Sequence, residues 1–83
     1  MLVRYFGAAQ AAAGVPEERL DLDGVALSEV LGEIRSLHPD GDPSMAKVLE
    51  RSSFLLNEVA LRDHTAPLGR GDVLDVLPPF AGG

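Results

Sequence analysis

The residues of this chain best placed for chemistry are its last six, Pro78-Pro79-Phe80-Ala81-Gly82-Gly83. Gly83 carries the terminal carboxylate with no side chain beside it. A carboxylate at neutral pH is a poor electrophile. Once one of its oxygens becomes a leaving group, the acyl carbon can accept a nucleophile. That carbon must then lie within about 3–3.5 Å of the attacking atom, and a Cβ on the last residue would crowd the approach. Gly82 opens backbone conformations closed to other residues, and Ala81 is the next smallest choice, so the end can thread a narrow channel. Pro78 and Pro79 do the opposite job. They hold φ near about −65° and favour extended backbone before them, which stiffens the junction and lowers the entropy lost on docking. Phe80 supplies an apolar anchor at the tail's base. The bland alternative is that terminal glycines are merely a flexible end.

Little else in the chain invites chemistry. There is no cysteine, which excludes disulfides, thiolate metal sites and a cysteine nucleophile. His38 and His64 lie far apart without a third ligand nearby, so no metal site is expected. His38 reads as the last turn of a helix, where a cation meets the helix dipole favourably, and His64 as solvated loop. Arg70-Gly71-Asp72 is turn chemistry. Arg4 is an odd polar residue in an apolar run, with no partner that the sequence identifies.

Thirteen acidic against seven basic residues give a net charge of −6. That field opposes nucleic acid and anionic membrane, since phosphate binding needs clustered Lys and Arg, and it attracts a partner with a basic groove. Lys47 is the single lysine. No apolar run approaches the roughly 20 residues of a membrane span, and no basic segment precedes an apolar one. The cytoplasm is the expected address.

These end residues need a scaffold, and 83 residues suffice for one domain. Met1 to Phe6 forms an apolar, aromatic run that predicts a first strand. The stretch 7–14, GAAQAAAG, predicts a short helix bracketed by Gly7 and Gly14. Residues 15–23 predict a second strand, with Leu20 and Leu22 on one side. The stretch that starts at Val25 predicts the main helix: Leu27, Val30, Leu31, Ile34 and Leu37 recur at helical spacing and make one continuous apolar stripe, ended by Pro39. Gly32 within that helix suggests a close approach. Residues 44–52 predict a second short helix. Residues 54–63 predict a hairpin turning at Asn57, which tolerates positive φ. Residues 67–72 predict a turn, and 73–77 the last strand, with Leu74 and Val76 on one face and Val73, Asp75 and Leu77 on the other. The order is strand, strand, helix, strand or strand pair, strand, an α+β arrangement. The first and last strands are the expected central pair, which would anchor the tail at its root.

Two stretches carry a family resemblance: VRYFGAAQAAAG near the start and PLGRGDVLDVLPPFAGG at the end. With the element order between them, they resemble the small subunit of molybdopterin synthase, a ubiquitin-like sulfur carrier of β-grasp fold. Gly71, Asp72, Pro78, Pro79, Gly82 and Gly83 fill that family's fixed places in register, and the Leu-Leu-Asn-Glu turn is similar too. Leu74 stands where the family usually has valine, and the segment after Phe6 is alanine-rich where the family is often charged. The resemblance implies a mixed sheet packed on one main helix, as a single domain over 1–83 with a flexible tail at 78–83. It also implies a cycle at Gly83: a ubiquitin-activating-like adenylyltransferase uses ATP to adenylate the carboxylate, and a sulfur donor protein converts it to a thiocarboxylate. The large subunit of molybdopterin synthase then takes the sulfur for a pyranopterin precursor, in a heterotetramer. No bound cofactor and no catalytic acid or base is expected in this chain. Phe6, Leu77, Pro78, Pro79 and Phe80 are the expected partner contacts; ordinary core is the alternative for Phe6, Leu77 and Phe80, of equal weight for Phe6 and of less for Phe80, which lies beyond the strand. A carrier for thiamine, cysteine or tRNA thiolation, a ubiquitin-like protein modifier, and an inert tail on a binding module stand as alternatives.

Overall fold

A computed structural model describes residues 1–79. The chain runs β1 (Leu2–Tyr5), α1 (Ala8–Ala13), β2 (Glu17–Arg19), β3 (Val25–Ala26), α2 (Leu27–Leu37), α3 (Met45–Arg51), β4 (Ser53–Leu56), β5 (Val59–Leu61), β6 (Pro67–Leu68) and β7 (Val73–Leu77). Five strands form one sheet in the order β2-β1-β7-β4-β5. β1 and β7 pair in parallel, with Leu2 opposite Val73 and Tyr5 opposite Val76, and the other neighbours are antiparallel. The expected central pair is therefore present, and β7 is the middle strand. This mixed sheet with a helix on one face is the expected β-grasp arrangement.

Alternation explains the core. Val3, Tyr5, Leu74, Val76 and Phe54 face one side of the sheet and are buried there. α2 covers that side with Leu27, Val30, Leu31 and Ile34, all at most 5% exposed. Leu37 does not continue the stripe, being 46% exposed. By angle it still lies on the buried side, only about 20° round the helix from Val30, but it is the last residue of α2, so its exposure follows from its place at the helix end. α1 ends as predicted, with Gly14 in the left-handed region (φ 77°). Ser44 caps α3, its hydroxyl accepting from the Lys47 amide at 3.5 Å.

Three further expectations need correction. The second strand is only Glu17–Arg19, not 15–23. Its ladder closes where the Met1 amino group donates to the Leu20 carbonyl (2.9 Å) and the Leu20 amide to the Met1 carbonyl (2.9 Å). Gly24, with φ 69°, then turns the chain into β3, which pairs with β6 in a separate two-stranded sheet. Residues 25–26 are thus strand, not helix, and 67–68 are strand, not turn. Leu22 keeps a core role, partly buried against the cluster. Finally, Gly32 marks no close approach, because a Cβ there would meet only Arg35 Nη2 at 3.6 Å. The constrained glycine is Gly41, where a Cβ would lie 2.4 Å from the Ala12 carbonyl oxygen. Only a residue without a side chain lets the loop after α2 lie this close to α1.

Candidate functional site

The candidate site is the end of β7 from which the tail leaves. β7 hydrogen-bonds on both flanks, to β1 and to β4, so the point of departure is fixed in the middle of the sheet. Leu77 is half-buried and opposite Ser53. Pro78 is half-buried and Pro79 exposed. The amide of Phe6 donates to the Val76 carbonyl at 3.3 Å, which ties the end of β1 to the end of β7. Phe6 is 42% exposed, so of its two readings the structure favours surface over core. Of the predicted site residues, Phe6, Leu77, Pro78 and Pro79 are brought together at this sheet end. Phe80, Ala81, Gly82 and Gly83 lie outside the described residues, as does most of the segment expected to be a flexible tail.

The sheet face turned away from α2 leads to that end. By alternation it presents Leu2, Arg4 and Phe6 from β1 and its extension, Val73, Asp75 and Leu77 from β7, and Leu55 from β4. Arg4 answers the question left by the sequence. Its Nε donates to Asp75 Oδ1 (2.6 Å) and its Nη2 to Asp75 Oδ2 (2.8 Å). The fork matches a carboxylate bidentately, and the hydrogen bond to Asp75 holds the guanidinium above its already high pKa. Asp75 is only 4% exposed. The pair neutralises what would otherwise be a bare carboxylate on the middle strand, leaving a largely apolar face beside the tail. A signal for it existed. Arg4 and Asp75 are lone opposite charges inside apolar runs, and parallel pairing of those runs sets them opposite each other.

A second cluster had no signal in the sequence. Tyr5 donates its hydroxyl proton to Glu18 Oε2 (2.5 Å), and His38 Nε2 lies 2.6 Å from the same oxygen. His38 also meets the Tyr5 ring edge-on, with centroids 6.0 Å apart. His38 is the C-cap of α2 (φ −130°), and its ring serves this contact with β2. The cluster bolts α2 to the edge of the sheet. Burial of the ring, then the hydrogen bond and charge of Glu18, hold the Tyr5 phenol well above the ordinary tyrosine range. An unfolded chain gives up this proton at about pH 10, whereas the folded chain keeps it. Stability contributed by the cluster is therefore complete below about pH 10 and is lost as pH rises beyond it. The chain has one tyrosine and no tryptophan, so near-ultraviolet absorbance reads Tyr5 alone. We expect no phenolate signal until circular dichroism shows unfolding. Ionisation near the ordinary value in a folded protein would contradict the contact.

The turn before β7 is fixed as its residues suggest. Asn57 (φ 50°) and Glu58 (φ 71°) form the hairpin turn. Asn57 Nδ2 donates to Asp72 Oδ1 (3.0 Å), the Gly69 amide to Asp72 Oδ2 (2.7 Å), and the Val73 amide to Asn57 Oδ1 (2.9 Å). The bond from Asn57, then that from Gly69, lowers the Asp72 pKa. The Arg-Gly-Asp stretch is thus engaged in turn chemistry, with the Arg70 amide donating to Asp23 Oδ1 at 2.8 Å. Among the described residues no group of three or more His, Asp or Glu could hold a metal ion. No helix there is long and apolar enough to cross a membrane.

Comparison with known proteins bears on the whole chain. The profile of the ThiS family matches residues 3–83. No curated protein matches. Among solved structures, SAMP1 from Haloferax volcanii superposes with a TM-score of 0.77 at 25% identity, covering 99% of this chain and 97% of that one. A putative molybdopterin converting factor subunit 1 from Pyrococcus furiosus gives 0.75 at 23% identity, covering 95% of both chains. A chain in the complex of subunits 1 and 2 of molybdopterin-converting factor from Helicobacter pylori gives 0.62 at 24% identity, covering 99% of this chain and 96% of that one.

Proposed function

The chain belongs to the ThiS family, and from that premise we propose that it is a sulfur carrier whose C-terminal glycine bears the sulfur, serving as the small subunit of a molybdopterin synthase. The observation that carries this reading is the family match running to Gly83, on a tail that leaves the middle strand of the sheet. In the proposed cycle a carboxylate oxygen of Gly83 attacks the α-phosphorus of ATP on an adenylyltransferase, and pyrophosphate leaves. Sulfide supplied by a sulfur donor then attacks the acyl carbon, its new C–S bond replaces the C–O bond to AMP, AMP leaves, and a thiocarboxylate remains once the proton is lost. That sulfur passes to a pyranopterin precursor in the large subunit. This chain supplies reach and an unhindered acyl carbon, and its partners supply the acids, bases and nucleotide site. The apolar face around the neutralised Arg4–Asp75 pair, continued by Phe6, Leu77 and Pro79, suits a partner that buries the tail's root. The Helicobacter complex of subunits 1 and 2 supports a partner of the large-subunit kind.

The test is intact-mass spectrometry after incubation with ATP, a family-type adenylyltransferase and a sulfide source. One oxygen-for-sulfur exchange at the C-terminus is expected. No exchange with an adenylyltransferase that loads a control carrier rejects the reading. The likeness to SAMP1, a small archaeal modifier protein, favours a second reading, in which Gly83 is joined to lysines of other proteins. Conjugates surviving denaturing electrophoresis separate that outcome from sulfur loading. Co-purification with a thiazole synthase or a cysteine synthase, instead of a pterin-site subunit, would redirect the carrier to another pathway.

A further inference from the structure

The five-stranded sheet ends in β2 on one side and β5 on the other, and among the described residues β5 has no neighbour beyond it. A bare edge offers unpaired N–H and C=O groups to another strand. The two-residue turn at Asn57 and Glu58 makes Leu56 and Val59 a hydrogen-bonded pair. Such pairs alternate, so Phe54 and Leu61 form the next one, and the N–H and C=O of Ala60 point off the sheet. Nothing in the strand itself blocks that edge. It holds no proline, Ala60 is small and exposed, and Val59 is 68% exposed. By alternation Val59 and Leu61 lie on the α2 side with Phe54, whereas Ala60 and Arg62 lie on the open face with Leu55. Glu58 and Arg62 flank the strand as exposed opposite charges. Among the described residues neither takes part in an ion pair.

We propose that β5 pairs antiparallel with β5 of a second copy of this chain, about a two-fold axis at Ala60. This register sets Ala60 opposite itself, Val59 opposite Leu61 and Glu58 opposite Arg62, the last two pairs each occurring twice. The outward groups of Ala60 then exchange two hydrogen bonds across the axis. On one face Val59 meets Leu61 in a non-hydrogen-bonded pair, where side chains come closest. On the other face each Glu58 meets an Arg62. Centring on Val59 or Leu61 instead sets no Glu opposite an Arg. The other edge of the sheet lacks this fit. There β2 reads Glu17-Glu18-Arg19, and any two-fold centre within it sets a charge opposite its own like, which is destabilising. The paired segment is short, so the contact falls below the about 1,200 Å² of a stable complex. The net charge of −6 on each copy also works against it. The dimer is therefore weak, with a dissociation constant between about 0.1 and 1 mM. β7 lies two strands in from this edge, so pairing leaves the root of the tail alone. Neither the pairing nor its test depends on the sulfur-carrier reading.

The experiment is sedimentation equilibrium of the full chain from about 0.02 to about 1 mM, at about 0.15 M salt, where charges beyond roughly 8 Å are screened. The wild type should pass from mostly monomer to a state with at least about half of the chains paired. Glu58→Arg alone sets Arg opposite Arg twice, and Arg62→Glu alone sets Glu opposite Glu twice. Each should weaken association about 10-fold or more. Mixed one to one, the two single variants become complementary copies and should pair as the wild type does. Ala60→Pro removes the central N–H without touching the charges and should weaken pairing by a similar factor. Because that N–H points off the sheet, the β4 ladder survives, and unchanged circular dichroism confirms the fold of every variant. The charge variants decide the matter even where the proline does not fold. A wild type that stays monomeric at about 1 mM overturns the pairing. So does a dimer indifferent to both single charge reversals, or a mixture of the two that fails to pair, since either places the contact elsewhere.

Discussion

Deleting Gly83 should reduce thiocarboxylate formation at least about 100-fold, the scale of loss that a misplacement of about 1 Å brings to a reacting centre. The deletion leaves Gly82 as the new terminus, which is equally free of a side chain. Crowding is therefore not what the variant tests. It shortens the reach by about 3.5 Å, and the acyl carbon no longer arrives at the nucleotide. Gly83→Val tests the other requirement, because it restores the length and adds a branched side chain beside the carbon. Both variants should lose loading, and both should unfold at the wild-type temperature, since the ladder of β7 ends at Leu77. Rates come from intact mass against time with ATP, adenylyltransferase and sulfide. Wild-type loading by the deletion variant would falsify the assignment of the chemistry to the last residue.

The parts of this molecule that were legible in the sequence are those set by local rules. Alternation in 73–77, helical spacing in 27–34, the positive φ that Asn57 tolerates and the glycine bracket of α1 each depend on neighbours a few residues away. What escaped depends on which distant segments meet. The bolt of Tyr5, Glu18 and His38 joins β1, β2 and the end of α2, and no spacing rule links residues 13 and 20 apart. The short β3–β6 pair spans from Val25 to Leu68, and each strand is too brief to show a period. Gly32 and Gly41 look alike as letters. Only the approach of Ala12 tells which of them must lack a Cβ. The candidate site divides the same way. The tail's chemistry is written in its own residues, whereas the apolar face beside it depends on Arg4 meeting Asp75 71 positions away.

Leu37 and Leu74 turn that distinction into a measurement. Leu74 is fully buried on β7, opposite Val3 of β1 and Leu56 of β4, and α2 closes over that face. Leu74→Ala removes three carbons from a site hemmed in by two hydrogen-bonded strands, which have little freedom to collapse. The cost should be about 2–5 kcal/mol. A domain of this length holds roughly 4–12 kcal/mol in all, so one substitution takes a large share and should lower the melting temperature by about 10–30 °C. Leu37 has the same side chain and, by spacing alone, would join the same core. At 46% exposure, Leu37→Ala should change stability by no more than about 0.5 kcal/mol. Urea denaturation of the two variants measures both. Equal losses would mean that α2 presents a different face to the sheet. A large loss confined to Leu74 means that the strand carrying the tail is held by the core, so the tail's root keeps its place when a partner pulls on its end.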